Sequence, residues 1–427
     1  MTAAESPDLL ELEVGAIAAG GGCVARAPDG WVVFVRHSLP GVRVLARVTA
    51  ATTSFLRADA VEILAPSPDR VDPPCAHAGP GRCGGCDFQH VELGAQRRLK
   101  AFRIAEQLER LAGVAAPVTV EPVAGDVAGL GYRSRVRVAV DGRGAVGFRR
   151  HRSHRLEYVG ACPIASPAVT ATGALAALWP GAAELEVVAG TGTDGGEALV
   201  SVAPRRRATP HPPDLTARPG LVVGGKVRRR PGAVHALVAG RTYRTSPGVF
   251  WQVHTGAASA LLQAVLDFVG PCDGASVADL YAGAGLFSVA LADAVGPTGS
   301  VLAVEWDRRA CADARHNGAT FPHLRVLQGE VTPGLVESGL GRPDIVVLDP
   351  AREGAGTGVM RALAAQAPAR RIVYVSCEPS SFGRDSRVLL DEGWRLSGLR
   401  AFDIFPMTEH VELVALMEPP VADTPTR

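Results

Sequence analysis

Lysine is nearly missing from this chain of 427 residues: Lys100 and Lys226 are the two, and arginine carries almost all the positive charge. That bias reflects the base composition of the gene as well as function, so arginine runs count for less here. An excess of one charge is missing too. A formal net charge of +1 excludes a wholly basic nucleic-acid coat but says nothing of local patches. No apolar run reaches spanning length, and the start, MTAAESPD, has acids where a secretory leader has bases. Neither a membrane span nor a leader is expected, and the cytosol is the expected location. Eight cysteines in a cytosolic chain of this size do not indicate a disulfide framework. Cys23, Cys272 and Cys311 stand alone, as packing residues do.

The length suggests two to three domains, and the pattern divides at about residues 66 and 242. Residues 1–66 contain short alternating runs such as GWVVFVRHS and RVLARVTA, broken by Gly20-Gly21-Gly22, Asp29-Gly30 and Pro40-Gly41. This predicts a small antiparallel β-barrel, either a backbone-tracking module or a structural appendage. Residues 67–242 read as a central α+β region, opening with a Pro-rich linker and containing a Pro/Arg-rich loop at 204–213. From residue 243 strands and helices alternate, the signature of a doubly wound α/β sheet.

Three features of the central region bear on chemistry. Cys75, Cys83 and Cys86 lie in CAHAGPGRCGGCDFQH, and Cys162-Pro163 supplies a fourth thiol much later. The spacing suits an iron-sulfur or metal loop, with zinc as the plain alternative. Residues 91–112 have helical periodicity and Gly113 as a stop; Arg97, Arg98, Lys100 and Arg103 read as the helix's solvated face. Arg133, Arg135 and Arg137 alternate along an expected strand, and Arg149, Arg150, Arg152 and Arg155 follow around the next turn. A stripe of guanidinium groups on one face would meet phosphates. A sheet edge kept charged against aggregation is the plainer account.

In the C-terminal third, Gly283 and Gly285 form a Gly-x-Gly turn between a strand and a helix, and Glu305 stands near the end of the next strand. Such a turn lets backbone approach a nucleoside, and the acid can take both ribose hydroxyls. The third glycine of a pyrophosphate turn is missing, so S-adenosylmethionine, which has no phosphate, fits better than a dinucleotide. Asp349-Pro350 and Cys377 end two further strands and share that rim. A buried cysteine is usually a small hydrophobe. A thiol at a donor-binding rim can instead add to carbon 6 of uracil, making carbon 5 nucleophilic enough to take a methyl group. A base must then remove the carbon 5 proton, and Glu412 in EHVE is the available carboxylate.

Taken in order, CGGCDFQH with Cys75 and Cys162, GYRSRVR, SPGVFWQVH, DLYAGAGLFSVALA, VVLDPAREG, VYVSCEPSSFGRD and FPMTEHVE resemble the RNA uracil-5-methyltransferase family. The likeness covers nearly the whole chain and points to the branch with an N-terminal TRAM barrel and an iron-sulfur loop that modifies 23S ribosomal RNA. It implies a Rossmann-like methyltransferase domain, an OB-like barrel and a central α+β domain. By the same resemblance Cys377 is the nucleophile, Glu412 the base, and Cys75, Cys83, Cys86 and Cys162 hold a 4Fe-4S cluster. Gln252, Tyr281, Glu305 and Asp349 surround the methyl donor and target base, with Glu330 as a weaker donor contact. The expected partner is RNA, ribosomal with transfer RNA as the alternative, bound by a monomer. Three positions depart from the family's pattern: the Cys75 to Cys83 gap is long, Leu286 stands where an asparagine often follows the turn, and Glu378 replaces the usual asparagine after the nucleophile. An acid there would raise the thiol's pKa. Competing readings are methylation of an exocyclic amine, an iron-sulfur redox protein and a non-catalytic RNA-binding module.

Overall fold

The structure is a computed structural model that describes residues 9–192, 197–366 and 370–420; the acidic start at residues 1–8 lies outside them. The first five strands, Leu9–Ile17, Cys23–Arg26, Val32–Arg36, Arg43–Ala51 and Phe55–Ala65, close into a barrel. Alternation builds it: Leu10, Leu12 and Val14 point inward while Glu11 and Glu13 face out. One seam differs from the expected antiparallel pairing, because Val32–Arg36 and Phe55–Ala65 run parallel. Period-two patterning is the same for either direction, so it could not reveal this.

The central region is a seven-stranded sheet in the order Lys226–Arg229, Gly220–Val223, Ala198–Pro204, Ala182–Ala189, Arg135–Val140, Val146–Arg149, Leu156–Glu157. Its core of Val136, Val138, Leu185, Val187 and Val200 packs with Trp179 and Val169. A hairpin of Val234–Val238 and Arg241–Thr245 follows.

The C-terminal sheet has eight strands in the order Leu324–Gln328, Ser300–Glu305, Ser276–Leu280, Ile345–Leu348, Arg371–Ser376, Glu412–Glu418, Arg395–Asp403, Val120–Pro122. The first five are parallel to one another, and Glu412–Glu418 runs antiparallel to both of its neighbours. Successive residues of one strand enter opposite cores: Ile345, Val347, Val373 and Val375 pack on one face, and Val346, Leu348, Ile372 and Tyr374 on the other. Burial on both faces explains the unbroken apolar runs. Among the described residues no helix is long and apolar enough to cross a membrane.

The helix expected at 91–112 forms as Leu93–Gln107 plus a wider turn, Leu108–Ala112, closed by Gly113 at φ 71°. Its basic face is not the solvated surface that periodicity suggested. Lys100 Nζ lies 2.5 Å from Asp403 and 3.0 Å from the Phe405 carbonyl, with both charged side chains 1% exposed. Arg97 also meets Asp403, Arg103 meets Glu409 at 2.6 Å, and Arg98 alone remains largely exposed. Periodicity locates a charged face but not what lies across from it. Here the opposing turn, residues 403–409, carries two carboxylates, and the ion pairs fasten it to the helix.

Replacing Lys100 by Ala leaves a buried carboxylate with Arg97 as its remaining partner. Urea denaturation should show a loss of about 3–5 kcal/mol. The double change Lys100→Met, Asp403→Leu should recover most of it, and a loss under about 1 kcal/mol for Lys100→Ala would contradict the account.

Candidate active site

Sheet direction assembles the site. Parallel strands place their carboxyl ends along one edge, and the antiparallel strand contributes its start to the same edge. Tyr281, Glu305, Asp349 and Cys377 therefore stand at or just beyond four neighbouring strand ends, and Glu412 begins the fifth. Ser376 pairs with Leu413, so continuing the register sets Cys377 opposite Glu412.

The glycine turn has the local geometry that a nucleoside needs. Tyr281, Gly283 and Gly285 all have positive φ, at 64°, 55° and 87°. A Cβ on Gly283 would meet nothing within 4 Å, leaving open space, whereas one on Gly285 would lie 3.3 Å from Ala314. One glycine thus leaves room beside the backbone, and the other lets two helices pack. Glu305 accepts from Gly283 N–H at 2.9 Å and Asp307 N–H at 2.7 Å, which fixes its carboxylate beside the turn. Glu330 is exposed, and its charge reaches Tyr281. Leu286 begins the following helix and is buried, consistent with packing in place of a polar donor contact.

The reactive end of the rim is short of water and rich in acids. Loss of hydration first, then the carboxylates of Glu412 and Asp349, push the Cys377 thiol up to about 12; Arg352 works the other way. Burial and Asp349 also hold Glu412 well above the ordinary carboxylate range, and Arg352 again opposes them. Asp349 is pushed up to about 7 by burial and by Asp279, and Asp279 likewise to about 7 despite a hydrogen bond from the Ser288 hydroxyl. The leading charges acting on the thiol are Glu412, Asp349 and Arg352, and Glu378 is engaged elsewhere. It caps the helix Pro379–Asp391, accepting from Ser380 N–H and from the Ser380 hydroxyl at 3.0 Å. The acid expected to oppose the thiolate is occupied elsewhere, and the opposition comes from across the rim.

Sequence reasoning missed Arg352, Asp279 and Asp385, although all three lie in motifs it singled out. Asp385 accepts from the Tyr374 hydroxyl and Ala355 N–H, both at 2.7 Å, pinning the loop after Asp349 to the helix after Cys377. Gln252 is buried on a segment anchored to the central region, where Ser134 N–H donates to the Val253 carbonyl at 2.7 Å.

A second constellation lies in the central region. Cys75, Cys83, Cys86 and Cys162 line one cavity of about 230 Å³ with Gln89 and Arg133. Burial above all, with smaller contributions from Cys162 and Cys75, pushes the Cys83 thiol up to about 11, against a hydrogen bond from Gly85 N–H. Among the described residues no three His, Cys, Asp or Glu side chains are close enough together to hold a metal ion. All eight cysteines are free.

Three arginines of the stripe are paired with acids, while Arg149, Arg152 and Arg155 are exposed with no acidic partner among the described residues. Arg135 lies 3.5 Å from Glu186 and donates to the Val249 carbonyl at 2.7 Å. Arg137 meets Glu184 and Glu186, and Arg150 meets Glu157 at 3.0 Å. Arg133 donates to the Arg135 carbonyl, while Arg149 faces His154. The acids come from neighbouring strands, which a local reading of charge could not include.

No protein-family model matches the chain. It is 47% identical to an uncharacterized RNA methyltransferase of Streptomyces coelicolor, covering 96% of this chain and 92% of that one. It is 33% identical to the 23S rRNA (uracil(1939)-C(5))-methyltransferase RlmD of Chromohalobacter salexigens, over 97% and 90% of the two chains. Among solved structures, the Pyrococcus abyssi tRNA (uracil-54, C5)-methyltransferase in complex with S-adenosyl-L-homocysteine shares the fold. The TM-score is 0.69 at 21% identity, covering 96% of this chain and 99% of that one.

A thiol raised to about 12 is almost wholly protonated at neutral pH. Iodoacetamide labelling of Cys377 at pH 8, followed by peptide mass spectrometry, should run on the order of 10³-fold slower than for an unperturbed thiol. The rate should climb with pH and fall further in Arg352→Ala; labelling as fast as a free thiol would contradict this electrostatic account.

Proposed function

The chain belongs to the RNA uracil-5-methyltransferase family, and from that premise we propose that it transfers a methyl group from S-adenosylmethionine to carbon 5 of a uridine in 23S ribosomal RNA. The observation that carries the reading is Cys377 opposite Glu412 on the same rim as the glycine turn and Glu305. Ribosomal RNA is favoured over transfer RNA because the relative named as a ribosomal RNA enzyme is 33% identical, whereas the transfer-RNA enzyme shares the fold at 21%. A base inside a helix is out of reach, so the uridine must swing out into the site.

In this reading Glu305 takes the ribose hydroxyls, and Gly283 leaves room for the donor beside the turn. Tyr281, Gln252 and Glu330 complete the surroundings of donor and base. The Cys377 thiolate adds to carbon 6 of uracil, and carbon 5 then attacks the methyl group. The methyl–sulfur bond breaks, and S-adenosylhomocysteine leaves with the electron pair. Glu412 removes the carbon 5 proton, and the electrons of that bond restore the ring double bond as the thiolate departs. Burial and Asp349 raise the pKa of Glu412, which makes its carboxylate the stronger base for the carbon 5 proton. The donor's sulfonium adds a second positive charge beside Arg352, and both favour the thiolate. An exocyclic amine would need no thiol, and nothing on this rim favours that substrate. RNA as substrate also keeps the proposed location in the cytosol.

A 4Fe-4S cluster is the proposed occupant of the cysteine cavity, and the donor set fits it. Four thiols line one space, the donor set that such a cluster takes. Bound there, the cluster would tie the 75–86 loop to Cys162 at the base of the central sheet; methyl transfer itself needs no electron.

Incubating the protein with radiolabelled donor and either 23S ribosomal or transfer RNA tests the reaction. Labelling should be confined to 5-methyluridine in ribosomal RNA, and Cys377→Ala should lower it on the order of 10⁴-fold or more. An active Cys377→Ala enzyme would remove the covalent mechanism, and labelling of transfer RNA alone would redirect the substrate. Because Cys377 and Glu412 must both be ionised and both are shifted up, kcat/KM should rise from pH 6 to pH 9. A profile that is flat over that interval would contradict the paired assignment.

A further inference from the structure

The arginines nearest the cysteine cavity are largely neutralised by acids on adjacent strands. Arg149, Arg152 and Arg155 near that end are exposed without an acidic partner, and a larger group of unpaired cations lies at the opposite edge of the central sheet. Residues 204–231 hold eight Lys or Arg side chains and a single acid, Asp214. Two of the eight brace backbone: Arg205 donates to the Val140 carbonyl at 2.7 Å and Arg229 to the Pro219 carbonyl at 2.6 Å. Arg206, Arg207, Arg218, Lys226, Arg228 and Arg230 are exposed. The ion pairs of this sheet's arginines fall on Arg135, Arg137 and Arg150, and none among the described residues reaches these six.

Topology gathers them. Lys226–Arg229 is the outermost of the seven strands, and Ala198–Pro204, two strands in, ends where the Arg205 to Arg207 loop begins. Gly224 N–H donates to the Val202 carbonyl at 3.0 Å, and a Cβ on Gly224 would lie 3.4 Å from Pro204. The loop and the turn before Lys226 are therefore neighbours. A charged edge strand also discourages sheet-to-sheet pairing, but that purpose does not account for an arginine loop beside it.

A second observation gives the edge a direction. A cavity of about 520 Å³ starts at Gly224 and Val227 and runs to Ser246, Gly248 and Arg309. Ser246 and Gly248 open the segment that leads to Gln252, and Arg309 lies on the helix that follows Glu305. Glu184 and Glu186 line it too, already engaged by Arg137 and Arg135. The groove thus links the basic edge to the layer that carries the methyl-transfer rim.

We propose that this edge, with Arg206, Arg207, Arg228 and Arg230 as its main contacts, docks the phosphate backbone of folded RNA away from the reacting uridine. The proposal rests on the RNA-methylating reading above. Contacts of this kind set orientation and affinity without reading sequence, and they release counterions, so their signature is salt dependence.

The test compares wild type with the variant Arg206→Ala, Arg207→Ala, Arg228→Ala, Arg230→Ala. Binding is measured by fluorescence anisotropy over a salt series, with a long 23S ribosomal RNA fragment and with a short hairpin holding the target uridine. Titration with S-adenosylhomocysteine checks that the variant is folded. The long fragment should bind at least about 10-fold more weakly, with a log–log salt slope shallower by about 3, while kcat on the short hairpin stays unchanged. Equal affinity and slope on the long fragment, with wild type methylating normally, would overturn the edge assignment alone. A wild-type protein that neither binds nor methylates either RNA would overturn the underlying reading as well. If wild type is a dimer that the four changes dissociate, the edge is a protein interface and the proposal fails.

Discussion

The mutual repulsion of acids in a water-poor rim is the constraint on which the rest of this site depends. Burial first, then Glu412 and Asp349, disfavour ionisation of Cys377; burial and Asp349 do the same to Glu412, and Arg352 is the cation acting on both. In the free protein the balance disfavours both the thiolate and the carboxylate. On the proposed mechanism, a cationic donor and a base that accepts the thiolate's electrons would shift that balance toward the reactive form. A thiol held in this way is also protected from adventitious alkylation and oxidation.

Rigid support keeps the groups at these separations. The rim is the end of a sheet packed on both faces. Asp385 ties the loop after Asp349 to the helix after Cys377, and Lys100 and Arg103 clamp the turn that leads into Glu412. The clamp comes from a helix laid down long before the sheet in sequence, and Val120–Pro122 even joins that sheet as an edge strand. N-terminal and C-terminal halves are thereby interlocked around one catalytic edge.

Much of this was legible in the sequence because the chemistry-bearing residues follow strongly patterned strands. Period-two and unbroken apolar runs, with glycines at the turn, located the strand ends of Glu305, Asp349 and Cys377. What stayed hidden was contact between segments remote in sequence. Lys100 looked solvated because Asp403 lies about three hundred residues away; Arg135 looked free because Glu186 is on another strand. Glu378 looked like a hindrance because sequence adjacency does not say which way a side chain turns. The parallel seam of the barrel was invisible for a similar reason, since alternation records faces and not directions.

The central claim is that Cys377 adds to the base and Glu412 releases it by taking the carbon 5 proton. Intact-mass analysis of Glu412→Gln, incubated with S-adenosylmethionine and target RNA, tests this most directly. The account predicts a denaturant-resistant protein–RNA adduct carrying one methyl group, attached at Cys377 by peptide mapping. Full turnover of Glu412→Gln with no adduct, or an adduct at another residue, would contradict it.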